Sequence, residues 1–177
     1  MTKTRSKTTT KTKKSPTNVL KTLKTTIDSK PQQRQKRAAA QKIMEPILSS
    51  GNFKIKKIPP NGACLFASLA SYSETKTPGD LRKEAVQMVS DNWDLFAHAH
   101  EEGFTSKEDY IAKMSKRGTY GDEPELLVLA QRYNLCVVIV NSDNDGLSMV
   151  NPSGKKMVSL YLSGRDEIPH YDVLLLP

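Results

Sequence analysis

The 177-residue sequence has few cysteines, few aromatic residues and no long apolar run. Its two cysteines, Cys64 and Cys136, are too few for the disulfide framework of a small secreted protein. No apolar run approaches the roughly 20 residues that a membrane-spanning helix needs. The basic N-terminus also lacks the apolar centre of a signal peptide. We therefore expect a protein of the cytoplasm or the nucleus that has no membrane partner.

Acidic residues are scarce in the first third of the chain. Residues 1–60 hold 16 Lys and Arg against 2 Asp and Glu, whereas residues 61–177 hold 11 against 17. The net charge of +8 therefore describes a basic segment attached to an acidic domain. Residues 1–30 are rich in Lys, Thr and Ser and have too little apolar surface to offset their chain entropy, so we predict a disordered tail. A short helix around Val19–Ile27 remains an alternative.

Two basic runs, at 11–14 and 34–37, leave the role of this tail open. The segment either keeps the protein soluble or serves in nuclear targeting and in contact with nucleic acid or another polyanion. No aromatic residue precedes Phe53, so the tail lacks the side chains on which single-stranded bases stack.

The remaining sequence predicts an α+β domain, in which a mixed central sheet is packed by helices. Residues 31–51 form a helical lead-in, with the helix over Gln32–Leu48, and residues 52–177 form the folded domain. Capping signals that begin at Thr77, Thr105 and Asp122 predict three more helices. Leu135–Val140 is apolar throughout, as expected of a strand buried on both faces. Further strands are predicted at 53–58, 157–162 and 170–176. Nothing in the sequence demands more than a monomer.

A cysteine directly follows a Pro/Gly-rich turn in Ile58–Phe66 (IPPNGACLF). If Cys64 begins a helix, the helix N-terminus lowers the pKa of its thiol and favours the nucleophilic thiolate. The turn would leave the backbone N–H groups of Gly62, Ala63 and Cys64 free to face a developing oxyanion. Gly62 would let a substrate backbone approach closely. The alternative is that Cys64 is a small buried hydrophobic residue.

His170 and Asp172 provide the groups that such a thiol needs. Alternate residues of a strand share a face about 6.6 Å apart, so the carboxylate can reach and orient the imidazole. A thiol, an imidazole and a carboxylate are the parts of a nucleophilic cysteine site. The alternative for His170 is a histidine that meets solvent at the end of a strand.

Other candidate residues point to structure rather than chemistry. Cys136 lies inside an apolar strand and is predicted to be core. His98 and His100 are two positions apart, which on a helix places them on different faces, so they predict no metal site. Asp122 and Glu123 are most simply acids that interact with a helix N-terminus. No metal and no cofactor is predicted.

Four blocks of the sequence resemble, in order, the motifs of the ovarian-tumour (OTU) cysteine proteases. Residues 61–66 (NGACLF) resemble the Asp-Gly-x-Cys-Leu-Phe nucleophile motif, and residues 118–126 (GTYGDEPEL) resemble the Trp-Gly-x-x-x-Glu-Leu block. The strand at 135–140 and the terminal histidine motif at 170–172 follow. The resemblance covers roughly residues 52–177.

The resemblance implies a papain-like fold of OTU type and a cysteine protease that is in most cases a deubiquitinase. Ubiquitin or a ubiquitin-like protein is then the partner. Cys64 is the nucleophile, His170 the general base and Asp172 the residue that orients it. Asn61 supports the oxyanion or the loop, or is an alternative third residue. The chain departs from the family pattern at Asn61, where Asp is usual, and at Tyr120, where Trp is usual.

The second block suggests substrate-binding residues, namely Tyr120, Gly121, Asp122 and Glu123. The negative charges of Asp122, Glu123 and Glu125 would attract the basic C-terminal tail of ubiquitin. Two other functions stay open. The change at Asn61 allows a weakened or inactive ubiquitin-binding module, and the basic tail allows a nucleic-acid-associated protein.

Overall fold

A computed structural model of the chain describes residues 30–97, 103–142, 146–164 and 168–177. The predicted disordered tail up to residue 29, the short helix at 19–27 and both candidate histidines, His98 and His100, lie outside the described residues. Within them, no helix has the length and apolar character needed to cross a membrane. The same ranges contain no cluster of three or more His, Cys, Asp or Glu suited to a metal ion.

Helices dominate the first part of the chain and strands the last. The helices are α1 (Lys30–Ser50), α2 (Cys64–Ala70), α3 (Pro78–Asp91), α4 (Trp93–Phe96), α5 (Lys107–Met114) and α6 (Glu123–Arg132). The strands are β1 (Lys54–Lys56), β2 (Leu135–Asn141), β3 (Leu147–Val150), β4 (Lys156–Ser163) and β5 (His170–Leu175). This order confirms the predicted α+β class.

The described strands form one sheet in the order β1-β5-β4-β2-β3. β2 and β4 run parallel, whereas the other neighbours are antiparallel. Asp172 lies opposite Tyr161 of β4, and Val173 lies opposite Lys56 of β1. β5 is therefore an interior strand. At its His170 end it pairs with β4 and not with β1.

Side chains of the central strand β2 alternate between two apolar clusters. Val137 and Ile139 belong to the larger cluster, which also contains the buried residues of α2, α3 and α6. Cys136 and Val138 belong to a smaller cluster that contains Met44 of α1. Every residue of β2 is buried, which confirms the prediction of a strand covered on both faces. Cys136 is core, as predicted.

Several element boundaries differ from the sequence prediction, and two short elements, α4 and β3, were not predicted. α1 extends to Ser50 and continues through Pro46. The N-cap of α5 is Ser106, not Thr105, because the Ser106 side chain accepts the hydrogen bond from the Asp109 N–H. Strand β3 was not predicted, since four residues between two turns give only a weak alternating pattern.

Candidate active site

Cys64 is the first residue of α2, directly after the turn that the sequence singles out. The preceding residue, Ala63, makes no side-chain cap to this helix. The side chain of Cys64 is 1% exposed and belongs to the larger apolar cluster. The thiol therefore stands at a helix N-terminus, as predicted, but it is enclosed by protein.

This enclosure decides the acidity of the thiol. Burial raises the pKa of Cys64 above its ordinary value, and the negative charge of Asp172 raises it further. Hydrogen bonds from the backbone at Tyr171 and Leu65 oppose the rise without cancelling it. The resting thiol is protonated at neutral pH, which contradicts the expectation that the helix N-terminus alone would make it a thiolate.

The helix and the histidine strand meet at Tyr171. The hydroxyl of Ser68, one turn after Cys64, donates to the carbonyl of Tyr171 at 2.9 Å. The Cys64 thiol interacts with the backbone of the same residue. Since Tyr171 lies between His170 and Asp172 in β5, the structure brings the Cys64 helix and the strand of His170 and Asp172 together, although among the described residues no hydrogen bond joins the thiol to the imidazole.

The imidazole of His170 is held by the carboxylate of Asp172. His170 Nε2 lies 3.1 Å from Asp172 Oδ1. An ionised carboxylate can only accept, so Nε2 carries the ring proton and Nδ1 keeps its lone pair. His170 Nδ1 is buried and has no hydrogen-bond partner among the described residues. One ring nitrogen is thus fixed by Asp172, and the other is left available as a base.

Asp172 itself is fully buried and receives two further hydrogen bonds. The backbone N–H of Ile58 donates to Oδ1 at 2.8 Å, and the ammonium of Lys57 donates to Oδ2 at 2.9 Å. Burial opposes ionisation of the carboxyl, but the hydrogen bonds from Lys57, Ile58 and His170 outweigh it. The pKa of Asp172 therefore lies below its ordinary value, and the residue is a carboxylate at neutral pH.

Asn61 supports the turn rather than the histidine. Its side-chain Oδ1 accepts the hydrogen bond of the Ala63 N–H at 3.1 Å, and its carbonyl accepts that of Cys64 N–H at 3.0 Å. Among the described residues it has no hydrogen bond to His170, which Asp172 holds instead. The expectation that the amides of Ala63 and Cys64 stay free is therefore wrong for this state, because Asn61 already engages both.

Gly62 is required by a neighbouring loop of the protein itself. A Cβ at this position would lie 1.9 Å from the carbonyl oxygen of Gly118 and 2.7 Å from the nitrogen of Thr119. The reason given from the sequence, close approach of a substrate backbone, is thus replaced by close approach of residues 118–119. The nucleophile turn is packed directly against this loop.

Arg82 of α3, which no sequence motif singled out, is a buried residue that contacts the same turn. Its guanidinium donates to the carbonyl of Gly62 at 2.7 Å and lies 4.3 Å from the centre of the Phe66 ring. The side chain is 5% exposed. A signal was present, because Arg82 shares the helical spacing of Ala85 and Val89 on the apolar face, where a charged residue needs buried partners.

The four predicted substrate-binding residues do not form one surface. Asp122 and Glu123 line a groove of about 390 Å³ that extends to Tyr171, next to His170. Tyr120 is partly exposed and Gly121 packs on Leu65 and Phe66, where a Cβ would come within 2.9 Å of both side chains. The structure therefore associates the two acids with the catalytic strand and gives Gly121 a packing role.

Glu125 from the same block is a buried carboxyl. The Tyr110 hydroxyl donates to its Oε1 at 2.7 Å, and the backbone N–H of Asp122 donates to its Oε2 at 2.8 Å. Burial raises its pKa to about 7, although these hydrogen bonds act in the opposite direction. Glu125 thus closes the reciprocal cap of α6 from inside the core.

Comparison with known proteins gives one family. The family described as OTU-like cysteine protease matches residues 59–167, well over half of the chain. An OTU domain-containing protein 5-A from Danio rerio is 30% identical over 98 residues, which are 54% of this chain and 17% of that protein. An ovarian tumor domain-containing deubiquitinating enzyme 10 from Arabidopsis thaliana is 26% identical over 131 residues, or 71% of this chain and 35% of that protein.

The fold agrees with this assignment. A solved ovarian tumor (OTU) domain in complex with ubiquitin superposes with a TM-score of 0.59 at 21% identity, covering 69% of each chain. The chain spans only a sixth to about a third of the length of the two curated relatives, so the match concerns the domain and not those whole proteins. The chain belongs to the OTU-like cysteine protease family.

Proposed function

We propose that the chain is a thiol-dependent deubiquitinase that hydrolyses the bond at the C-terminus of ubiquitin or a ubiquitin-like modifier. The observation that carries the proposal is the hydrogen bond from His170 Nε2 to the buried Asp172 carboxylate, which leaves Nδ1 without a partner among the described residues, on the strand that packs against the Cys64 helix. The similar OTU domain of known structure is bound to ubiquitin, which supports the substrate class.

The chemistry follows from which atoms hold protons. His170 Nδ1 takes the proton of the Cys64 thiol, and the thiolate attacks the carbonyl carbon of the modifier's last residue. The tetrahedral intermediate collapses as the imidazolium returns that proton to the leaving lysine amine, which forms a thioester. Nδ1 then takes a proton from water, and the hydroxide releases the modifier's carboxylate and the free thiol. Asp172 keeps Nε2 protonated throughout and stabilises the imidazolium.

The groove beside Tyr171 gives the modifier's tail a place to bind. Asp122 and Glu123 line it together with apolar residues of β2 and β3, so it presents negative charge and apolar surface together. The C-terminal tail of ubiquitin is basic. Opposite charges of this kind mainly steer association and fix the register of the partner.

The resting geometry also favours a second candidate, a ubiquitin-binding module of low activity. The thiol is buried with a raised pKa, and Asn61 engages the amides of both Ala63 and Cys64. A competent enzyme must open this turn when substrate binds. A module that never opens it would bind ubiquitin without reacting.

One reagent pair separates the two candidates. We expect the wild-type chain to hydrolyse a ubiquitin C-terminal fluorogenic conjugate and to be modified by a ubiquitin probe with a C-terminal electrophile. Cys64→Ala should abolish both, whereas Cys136→Ala, which removes the other cysteine, should retain both. Binding of ubiquitin with no probe adduct would establish the inactive module. Equal signal from wild type and Cys64→Ala would refute the enzyme.

The proposal also covers the compartment in which the chain acts and the binding partner of its basic N-terminal segment. We propose that one copy of the chain carries the whole site and acts in the cytoplasm or the nucleus, where the thiols of both cysteines stay reduced. The excess of Lys and Arg in residues 1–60 supports contact with nucleic acid or another polyanion. Binding of polyanions that weakens steeply with salt and is lost on deleting residues 1–29 would support this role for the tail.

A further inference from the structure

Arg82 connects the nucleophile turn to the loop that follows α5. Its guanidinium donates to four backbone carbonyls: Gly62 at 2.7 Å, Met114 at 3.0 Å, Arg117 at 3.2 Å and Thr119 at 2.7 Å. One of these carbonyls belongs to the turn before Cys64, and the other three belong to residues 114–119. A single buried side chain therefore joins two segments that are more than 50 positions apart in sequence.

Two further contacts make this connection rigid. The backbone of Gly62 is so close to Gly118 that even a methyl group would not fit between them. The face of the Phe66 ring lies 4.3 Å from the Arg82 guanidinium, a distance typical of a cation–π interaction. Residues on both sides of Cys64 are thus held by the same cation.

The Arg82 cation interacts with two groups that can carry a negative charge. The charges of Glu125 and Cys64 both act on it. Burial lowers the pKa of Arg82, yet an arginine stays charged at any ordinary pH. A fixed positive charge therefore lies near the atom that becomes the thiolate.

We propose that Arg82 is a positioning residue for the nucleophile: its guanidinium fixes the Cys64 turn to residues 114–119 and supplies the buried positive charge beside the thiolate. The inference rests on the proposed function, since it assigns Arg82 a role in the reaction of Cys64. Arg82 does not itself touch the reacting atoms. It acts through the Gly62 carbonyl and through its charge.

Two substitutions separate the geometric role from the electrostatic one. Arg82→Lys keeps the charge but cannot reach four carbonyls with a planar fork of donors, and Arg82→Met removes both. We expect kcat on the fluorogenic ubiquitin conjugate to fall about 100-fold in both variants, because a small displacement of a reacting group has effects of that size. KM should stay near the wild-type value, since Arg82 does not bind the substrate.

Thiol alkylation tests the electrostatic part without any ubiquitin substrate. Iodoacetamide labelling of Cys64 is followed against pH by peptide mass spectrometry, which distinguishes it from Cys136. The pH midpoint of Cys64 labelling should rise in Arg82→Met and stay near wild type in Arg82→Lys. This readout applies even if the chain hydrolyses no ubiquitin conjugate, so failure of the proposed function and failure of the role of Arg82 are distinguishable.

A purely structural role for Arg82 predicts a different pattern. Val138→Ala serves as the matched control, because Val138 is fully buried in the cluster that contains Met44 and not Cys64. If activity in the Arg82 variants falls only as far as in Val138→Ala at the same loss of thermal stability, the proposal is overturned. An unchanged alkylation midpoint in Arg82→Met, or wild-type kcat in Arg82→Lys, would also overturn it.

Discussion

Asp172 is the residue on which the candidate site depends most. Its two oxygens receive hydrogen bonds from His170 in β5 and from Lys57 and Ile58, which lead into the nucleophile turn. The carboxylate therefore orients the base and also ties the strand that carries the base to the segment that carries the thiol. The pairing of His170 with Asp172 was predictable, since alternate residues of a strand share a face. The contact with Lys57 was not, because only the fold brings it close.

Lys57 should set the pH range in which the site works. Its ammonium offsets the negative charge of Asp172, which otherwise favours the imidazolium and disfavours the thiolate. In Lys57→Gln the unopposed charge of Asp172 should raise the pKa of Cys64 further, so the pH profile of kcat/KM should move to higher pH. The Lys57 side chain is 75% exposed, so solvent screening keeps the expected shift below about one unit.

Two variants and one salt series check this prediction. Lys57→Arg should keep the wild-type profile because it keeps the charge at the carboxylate. Lys54→Gln removes the same charge from β1, at a residue with no bond to Asp172, and should have little effect. The Lys57→Gln shift should shrink as salt rises, since an exposed cation is screened. An equal shift in Lys54→Gln would show that only the net surface charge matters.

At the scale of elements, the N-terminus of α6 shows what local sequence can predict. The reciprocal cap of Asp122 and Glu125 forms as its spacing requires, and Pro124 occupies the first turn. The complete burial of Glu125 is a tertiary effect, because Tyr110 of α5 covers the carboxyl and donates to it. A cap that is normally exposed to solvent has become part of the core.

Glu125 should make the protein less stable as pH rises through the range below neutrality. Its folded pKa of about 7 lies above the ordinary value of 4.5 for a glutamate, so the folded state binds its proton more tightly than the unfolded state does. Below about pH 4.5 this proton binding contributes its full amount to the free energy of unfolding, at most about 3 kcal/mol. The contribution is lost as the pH rises to about 7.

Denaturant unfolding between pH 4.5 and 7.5 measures this effect. Glu125→Gln cannot ionise, so this part of the pH dependence should disappear in the variant, although its amide NH2 cannot accept and one of the two hydrogen bonds, from Tyr110 or from Asp122, is lost. Glu123→Gln, at the exposed start of the same helix, is the matched control and should keep the wild-type slope. Parallel pH curves for wild type and Glu125→Gln would contradict the raised pKa.

At the scale of the whole molecule, the sequence predicted what depends on local pattern. The α+β class, the buried strand β2 and the pair His170–Asp172 all follow from periodicity and spacing. The contacts of Arg82, the burial of Glu125 and the reason for Gly62 depend on which loops meet in three dimensions. No spacing rule contains that information. The enclosed state of Cys64 belongs to the same class, because a helix start does not show that the thiol is buried, and burial raises its pKa.

The division between lead-in helix and folded domain is the feature of the whole molecule that is most open to test. The sequence places the boundary near residue 51, yet Met44 of α1 is fully buried in the smaller cluster with Val138 and Leu174. We expect Met44→Ala to lower the free energy of unfolding by about 2–5 kcal/mol, the usual cost of such a cavity. Activity of the folded fraction should be unchanged, because Cys64 belongs to the other cluster.

The control for this prediction lies on the same helix. Lys42 is exposed, so Lys42→Ala removes a side chain that has no contact with the sheet. Alanine has a high helical propensity, so α1 itself should be unaffected. Its unfolding midpoint should match that of wild type, while that of Met44→Ala moves to lower denaturant. If the two variants unfold together with wild type, α1 contributes nothing to the core and the boundary near residue 51 holds. If the unfolding midpoint of Met44→Ala lies below that of Lys42→Ala, α1 is part of the folded domain and covers one face of the sheet. A shortened chain should then keep the whole of α1, from residue 30.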